Sequence, residues 1–161
     1  MMTQGEVGEE NGKAPPKTEI GGDTMSYWLA IGPPDNWTFC FNNGNVWGFS
    51  DRYQNAWESV AIGDTVLCYA TRPVMGIIGY CTVRSKQRGP HPFFPREIQQ
   101  NQVLWPLRLT LAPVRMVPEE RWVASRVALE RKGVTLQRGL QRLGEERAKK
   151  IAEEIDKAYG K

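Results

Sequence analysis

Gly63-Asp64-Thr65-Val66-Leu67-Cys68-Tyr69-Ala70-Thr71-Arg72-Pro73-Val74-Met75-Gly76-Ile77-Ile78-Gly79-Tyr80-Cys81-Thr82-Val83 holds two apolar runs rich in β-branched and aromatic residues, split by a short turn. Gly63-Asp64 is a turn signal. Residues 65–70 and 76–83 therefore read as strands, paired through Arg72-Pro73. No helix-length segment separates them, so this part of the chain does not follow a βαβ rhythm.

The same reading extends upstream. Residues 27–31 form a short β-rich run stopped by Gly32-Pro33-Pro34, which excludes helix there. Residues 37–41 are aromatic and short, and predict a helical turn capped by Asp35 or Asn36. Residues 46–49 follow the Asn42-Asn43-Gly44-Asn45 turn as a second strand, and residues 55–62 predict a helical or looped crossover. Downstream, residues 85–101 carry too many proline, glycine and polar residues for a regular element, and loops of that length are often functional. Residues 105–111 alternate Leu107, Leu109 and Leu111 with Arg108 and Thr110, as a half-buried strand does. Glu119-Glu120 after Pro118 predict a helix through about residue 132, with acids where the helix dipole favours them. A last helix is expected over about 145–158. There Ala148, Ile151, Ala152 and Ile155 repeat at helical spacing, and Glu145–Lys149, Glu146–Lys150 and Glu153–Lys157 pair at i,i+4. The sum is an α+β chain, a small mixed β barrel flanked by helices.

Composition bounds the class. At 161 residues, with 40% hydrophobic and 24% charged residues, the chain has room for one domain and a proper core. No apolar run reaches the roughly 20 residues of a spanning helix, and Glu6, Glu9 and Glu10 stand where a secretory signal would be basic and then apolar, so a cytoplasmic protein without a membrane partner is expected. Cys40, Cys68 and Cys81 are odd in number and widely spaced, as reduced buried thiols are. His91 is the only histidine, and neither a metal nor another cofactor is expected. Residues 1–25 combine five glycines, two prolines and scattered charge with only Val7 and Ile20 as aliphatics beyond alanine and methionine. They predict a disordered tail before a domain over 26–161.

That tail is acidic, whereas the domain holds nineteen basic residues against thirteen acidic, a balance of +6. Arg72, Arg84, Lys86, Arg88, Arg96 and Arg108 face Glu97 alone between positions 72 and 108, interleaved with Tyr80, Phe93, Phe94 and Trp105. Clustered positive charge with aromatics attracts polyanions, although a solvated basic face looks the same in sequence. Trp47 sits between a Gly/Asn turn and the polar Ser50-Asp51-Arg52, where a flat ring faces a cleft as easily as a core. With Asn36 nearby it points to a site that stacks and hydrogen-bonds a nucleobase.

Tyr27-Trp28, Asp35-Asn36-Trp37, Val46-Trp47-Gly48-Phe49, Ile62-Gly63-Asp64-Thr65-Val66-Leu67, Gly76-Ile77-Ile78-Gly79, Trp105-Pro106-Leu107-Arg108 and Leu136-Gln137-Arg138-Gly139-Leu140, in that order, resemble the signature of the EVE domain, a relative of the YTH domain in the PUA-like group. The resemblance covers nearly all of the chain from Met25 onward. It implies a PUA-like pseudo-barrel that recognises a modified base, turned out of a DNA or RNA strand into an aromatic cage. By the same resemblance Trp47 is the first cage wall, with Gly48 and Phe49 beside it. Asn36 reads the base edge, and Phe93 or Phe94 supplies the second wall where relatives carry a tryptophan. Arg52, Arg84, Lys86 and Arg88 are then expected to hold flanking phosphates, which sets register without reading sequence.

The physics agrees with such a site. Stacking is worth about 1–3 kcal/mol per base. A methyl group adds about 0.8 kcal/mol per buried carbon, so discriminating a methylated cytosine or adenine needs a snug wall. The same residues also fit packing roles: Trp47 in the core, Asn36 as a cap, Phe93 and Phe94 pinning a loop, and Arg108 pairing with an acid across the sheet. Two other classes stand beside the non-enzymatic reader. One, implied by related PUA-like folds, is a PUA-like RNA-binding protein or an amidohydrolase of modified nucleosides, the latter using Thr82, Lys86 and Glu97. The other is a protein-interaction adaptor working through the C-terminal helices.

Overall fold

The computed structural model describes residues 25–128 and 139–159. In chain order it builds β1 (Tyr27–Gly32), α1 (Pro34–Asn42), β2 (Val46–Phe49), α2 (Gln54–Ser59), β3 (Thr65–Ala70), β4 (Gly76–Arg88), α3 (Pro95–Gln100), β5 (Leu107–Met116), α4 (Trp122–Ser125), β6 (Leu140–Leu143) and α5 (Glu145–Tyr159). The six strands form one sheet in the order β2-β5-β4-β3-β1-β6, curled into a half-barrel.

The hairpin expected between β3 and β4 is present, antiparallel, with Thr65 opposite Thr82 and Ala70 opposite Gly76. β4 continues antiparallel to β5, and β5 to β2. Among the described residues the one parallel pair is β1–β3, with Tyr27 opposite Thr65. The chain between them leaves the sheet as α1, returns as β2 at the far edge and crosses back through α2. Alternation in the central strands supplies two cores. Trp28, Ala30, Val66, Cys68 and Ala70 join Trp37, Cys40 and Trp47 in the larger one, while Leu29, Leu67 and Tyr69 turn to the other face. There Ala148, Ile151 and Ile155 of α5 lie fully buried, as their helical spacing predicts, and Lys149 pairs with Glu145 at 2.7 Å on the outer side.

Four elements differ from the sequence expectation. Neither Asp35 nor Asn36 caps α1: the cap position is Pro33, with Pro34 pre-set for the first turn and no side-chain cap bond. Residues 85–101 are not one irregular loop, because β4 runs on to Arg88 and α3 occupies Pro95–Gln100. The cause is pairing: Lys86 and Arg88 lie opposite Leu109 and Leu107 in the ladder, which overrides the polar composition. The helix expected over 119–132 shrinks to a 3-10 turn at Glu119–Arg121 and the one-turn α4, after which Val127 bridges to Ile77. The rest of that range lies outside the described residues, as do the tail through Thr24 and the Leu136-Gln137-Arg138 part of the last motif. Finally β6, a four-residue edge strand paired with β1, has no pattern of its own to announce it.

Candidate functional site

The end of β1, the first turn of α1, β2 and the segment from Phe94 to Trp105 meet around a half-open cleft of about 820 Å³. Its walls are aromatic: Trp47 and Phe49 from β2, Tyr53 just after it, Phe39 from α1, and Phe94 and Trp105 from the far side. Its polar side chains are the exposed Asp35, Asn36, Arg96 and Gln99 and the half-buried Ser50 and Thr71.

Trp47 is only 5% exposed. One face stacks on Trp37, centroids 3.5 Å apart and planes 8° from parallel. Trp37 itself is anchored by its indole N–H donating to the Tyr69 carbonyl at 2.9 Å. Trp47 thus forms the floor of the cleft on a rigid base. Beside it, Gly48 is a necessity: a Cβ there would come within 2.7 Å of the Phe94 ring and 2.8 Å of the Trp105 Cβ. The absent side chain lets the Phe94–Trp105 wall close against β2.

That wall is tied by one carboxylate. Glu97 is fully buried. Its Oε1 accepts the N–H groups of Phe93 (2.8 Å) and Phe94 (3.1 Å), and its Oε2 those of Leu104 (2.9 Å) and Trp105 (2.8 Å). Arg108, also buried, closes the set at 2.9 Å to Oε1, and its guanidinium further donates to the Trp105 and His91 carbonyls. It lies 5.3 Å from the Phe94 ring centre and 5.7 Å from that of Phe93. Burial pushes the Glu97 carboxyl up, but the four N–H donors outweigh it and hold the group below the usual carboxylate range. The acid that Arg108 was expected to find across the sheet is Glu97, and it comes from α3.

Of the residues singled out in sequence, Asn36, Trp47, Gly48, Phe49 and Phe94 come together around the cleft. The Asn36 side chain is exposed and has no partner among the described residues. Phe93 stands behind the wall, edge-on to Phe39 and Phe94. None of the four expected phosphate ligands lines the cleft. Lys86 donates to the Glu58 and Val60 carbonyls at 3.1 and 2.8 Å and caps the Trp57 ring at 4.8 Å. Arg88 pairs with Asp51 at 3.5 Å, Arg84 is exposed on β4, and Arg52 lies 5.7 Å over the Tyr53 ring at the cleft edge. Among the described residues, the cation that lines the cleft is Arg96 in the first turn of α3.

Sequence reasoning missed Tyr53 and Phe39, and named Arg96 and Trp105 only as members of the basic, aromatic stretch, not as cleft residues. For Trp105 a signal existed: Pro106 cannot donate to a ladder, so it ends the strand early and leaves the tryptophan outside it. The indole N–H groups sharpen the distinction. Trp28, Trp37, Trp57 and Trp122 each donate to a protein acceptor at 2.7–3.2 Å. Trp47 and Trp105, the two that line the cleft, have no acceptor among the described residues.

Among the described residues no cluster of histidine, cysteine, aspartate and glutamate could hold a metal ion, and no helix is long and apolar enough to cross a membrane. Thr82, Lys86 and Glu97 do not make a reaction centre. Thr82 is a ladder residue, Lys86 is held by backbone carbonyls and Glu97 has all its acceptor sites in use.

The sequence pattern of the EVE domain matches residues 26–154. Among solved structures, a YTH domain of Mmi1 in complex with RNA superposes with a TM-score of 0.55 at 11% identity, over 83% of this chain and 79% of that one. The ASCH protein of Zymomonas mobilis gives 0.53 at 14% identity, over 79% and 94%. Rpa0253 of Rhodopseudomonas palustris gives 0.53 at 13%, over 81% and 93%. At these identities the likeness is one of fold, and it is the PUA-like fold expected from the motifs. No curated protein matches by sequence.

Proposed function

The chain belongs to the EVE domain family, and from that premise we propose that it is a non-catalytic module that binds DNA or RNA by taking a modified, most simply methylated, base into the cleft over Trp47. The observation that carries this reading is the pair of indole donors, those of Trp47 and Trp105, that line the cleft with no acceptor among the described residues. Trp47 is buried, where an N–H without an acceptor costs about 1–3 kcal/mol, and Trp105 is half-buried beside it. Two donors on an aromatic-lined cleft suit a flat ligand that carries acceptors on its edge, as every nucleobase does. The YTH domain of Mmi1 is described in complex with RNA, which supports the same class of ligand here.

The cleft divides the work between groups. Trp47, Phe49, Phe94 and Trp105 supply apolar walls, against which a methyl group gains about 0.8 kcal/mol. Asn36, with both a donor and an acceptor, meets the base edge at the mouth. Arg96, which lines the cleft, takes the phosphate role in place of Lys86, Arg84 and Arg88, and Arg52, over the Tyr53 ring, is a second candidate.

Fluorescence anisotropy with matched single and double strands of DNA and RNA, carrying methylated cytosine, methylated adenine or neither, tests the proposal. Preference for one modified strand, lost in Trp47→Ala or in the milder Trp47→Phe, is the expected result. Uniform weak binding that neither variant alters would refute it and leave a generic basic surface. Trp105→Phe keeps the ring and removes the N–H, and should weaken binding of the preferred strand roughly fivefold, as one lost hydrogen bond does.

A further inference from the structure

The aromatic wall of the cleft consists of two short segments, Phe93-Phe94 and Leu104-Trp105, that enter from opposite ends of α3. Neither segment lies in a strand, and no ladder fixes their separation. What fixes it is Glu97, each of whose oxygens serves one segment: Oε1 takes the N–H groups of Phe93 and Phe94, and Oε2 those of Leu104 and Trp105. Arg108 neutralises that carboxylate and ties the same wall to β5 through the Trp105 and His91 carbonyls. Gly89 completes the fit, since any Cβ there would strike the Arg108 guanidinium.

We infer that the Glu97–Arg108 pair is the positioning device that sets the gap between the Phe94–Trp105 wall and Trp47, and so determines whether the cleft distinguishes a modified base from its unmodified parent. The inference rests on the base-binding reading above. A wall free to move a fraction of an ångström still accepts a base, but it stops gaining from one methyl group, because dispersion falls steeply with a small gap. Neither residue touches the ligand: Glu97 has no exposed surface and Arg108 lies behind the Phe93 and Phe94 rings. Their effect therefore falls on discrimination rather than on the phosphate contacts that carry most of the affinity.

Two variants separate this from a merely structural role. Glu97→Gln turns one acceptor oxygen into an NH2 donor that faces two N–H groups, freeing one segment. Arg108→Lys keeps a charge beside Glu97 but loses the fork that reaches Trp105 and His91. Circular dichroism checks folding, and Ile151→Val, remote under α5, serves as a destabilised control. The quantity read is the ratio of Kd for the unmodified strand to Kd for the preferred modified strand. In folded Glu97→Gln and Arg108→Lys this ratio should fall at least about threefold, with Kd for the unmodified strand within about twofold of the parent, while Ile151→Val keeps the parent ratio. If Glu97→Gln does not fold, Arg108→Lys decides alone. A parent ratio retained in a folded variant overturns the inference while the reader stands, provided Trp47→Phe still abolishes the preference. A parent protein with no preference overturns both.

Discussion

At Gly48 a missing side chain sets the shape of the aromatic cleft. Its missing Cβ is the space that Phe94 and Trp105 occupy, so Gly48→Ala should cost about 1–3 kcal/mol of stability by overpacking and raise the Kd for a modified strand about tenfold, as a thermal melt and an anisotropy titration would show. Glu97 makes a prediction about pH. Its carboxyl is held below the ordinary value by four backbone donors in spite of burial. A depressed folded pKa stabilises the protein above the unfolded value near 4.3, and that contribution disappears as pH falls through the lower folded value. Stability from melts at pH 7 down to pH 2 should therefore fall most steeply below about pH 4, and Glu97→Gln should flatten that part of the curve. From sequence, Trp47 was legible because a Gly/Asn turn and a polar stretch flank it, whereas Asn36 was placed by the family resemblance, and the cap role read at it locally did not hold. Glu97 was legible only as the lone acid of a basic stretch, since nothing local says that four N–H groups will converge on it.

Elements show how pairing overrides local pattern. β4 absorbs Lys86, Gln87 and Arg88 because β5 offers a continuous ladder to them, and this removes two expected phosphate ligands from the cleft. The β3–β4 hairpin also brings Cys68 and Cys81 together, Sγ–Sγ 3.8 Å, with Cys40 in the same core. Burial, and then the neighbouring Cys81, pushes the Cys40 and Cys68 thiols up. None of the three should react with Ellman's reagent in the native protein over minutes, and all three should react in guanidinium; fast native labelling would mean this core opens. α5 was legible from its 3.6-residue repeat, and its fully buried Ile151 gives the scale of the packing. Ile151→Ala should lower unfolding free energy by about 2–5 kcal/mol in a urea titration. β6 was not legible, because a four-residue edge strand carries too few positions for any period to register.

At the scale of the whole molecule, most of the expected cations lie away from the cleft, and Arg96 is the one described cation on its lining. If Arg96 contacts a phosphate, Arg96→Ala should reduce the slope of log K against log salt by roughly 0.7–0.9, whereas Lys86→Ala, whose ammonium is bound to carbonyls, should leave the slope unchanged. Titrations at 50–200 mM salt decide this. The sequence by itself determined the strand-rich α+β class, the central hairpin, the terminal packing helix and the family, because hydrophobic period, turn residues and ordered short motifs are local quantities. It also put Trp47, and either Phe93 or Phe94, in candidate roles. Only the tertiary structure decided which aromatic rings share a cleft, which tryptophans keep an unpaired N–H, and which cation faces that cleft rather than the protein's own carbonyls. Those are distances between residues tens of positions apart, such as Lys86 to Val60 or Gly48 to Trp105. They follow from how the sheet curls, and no stretch of neighbouring residues encodes that curl.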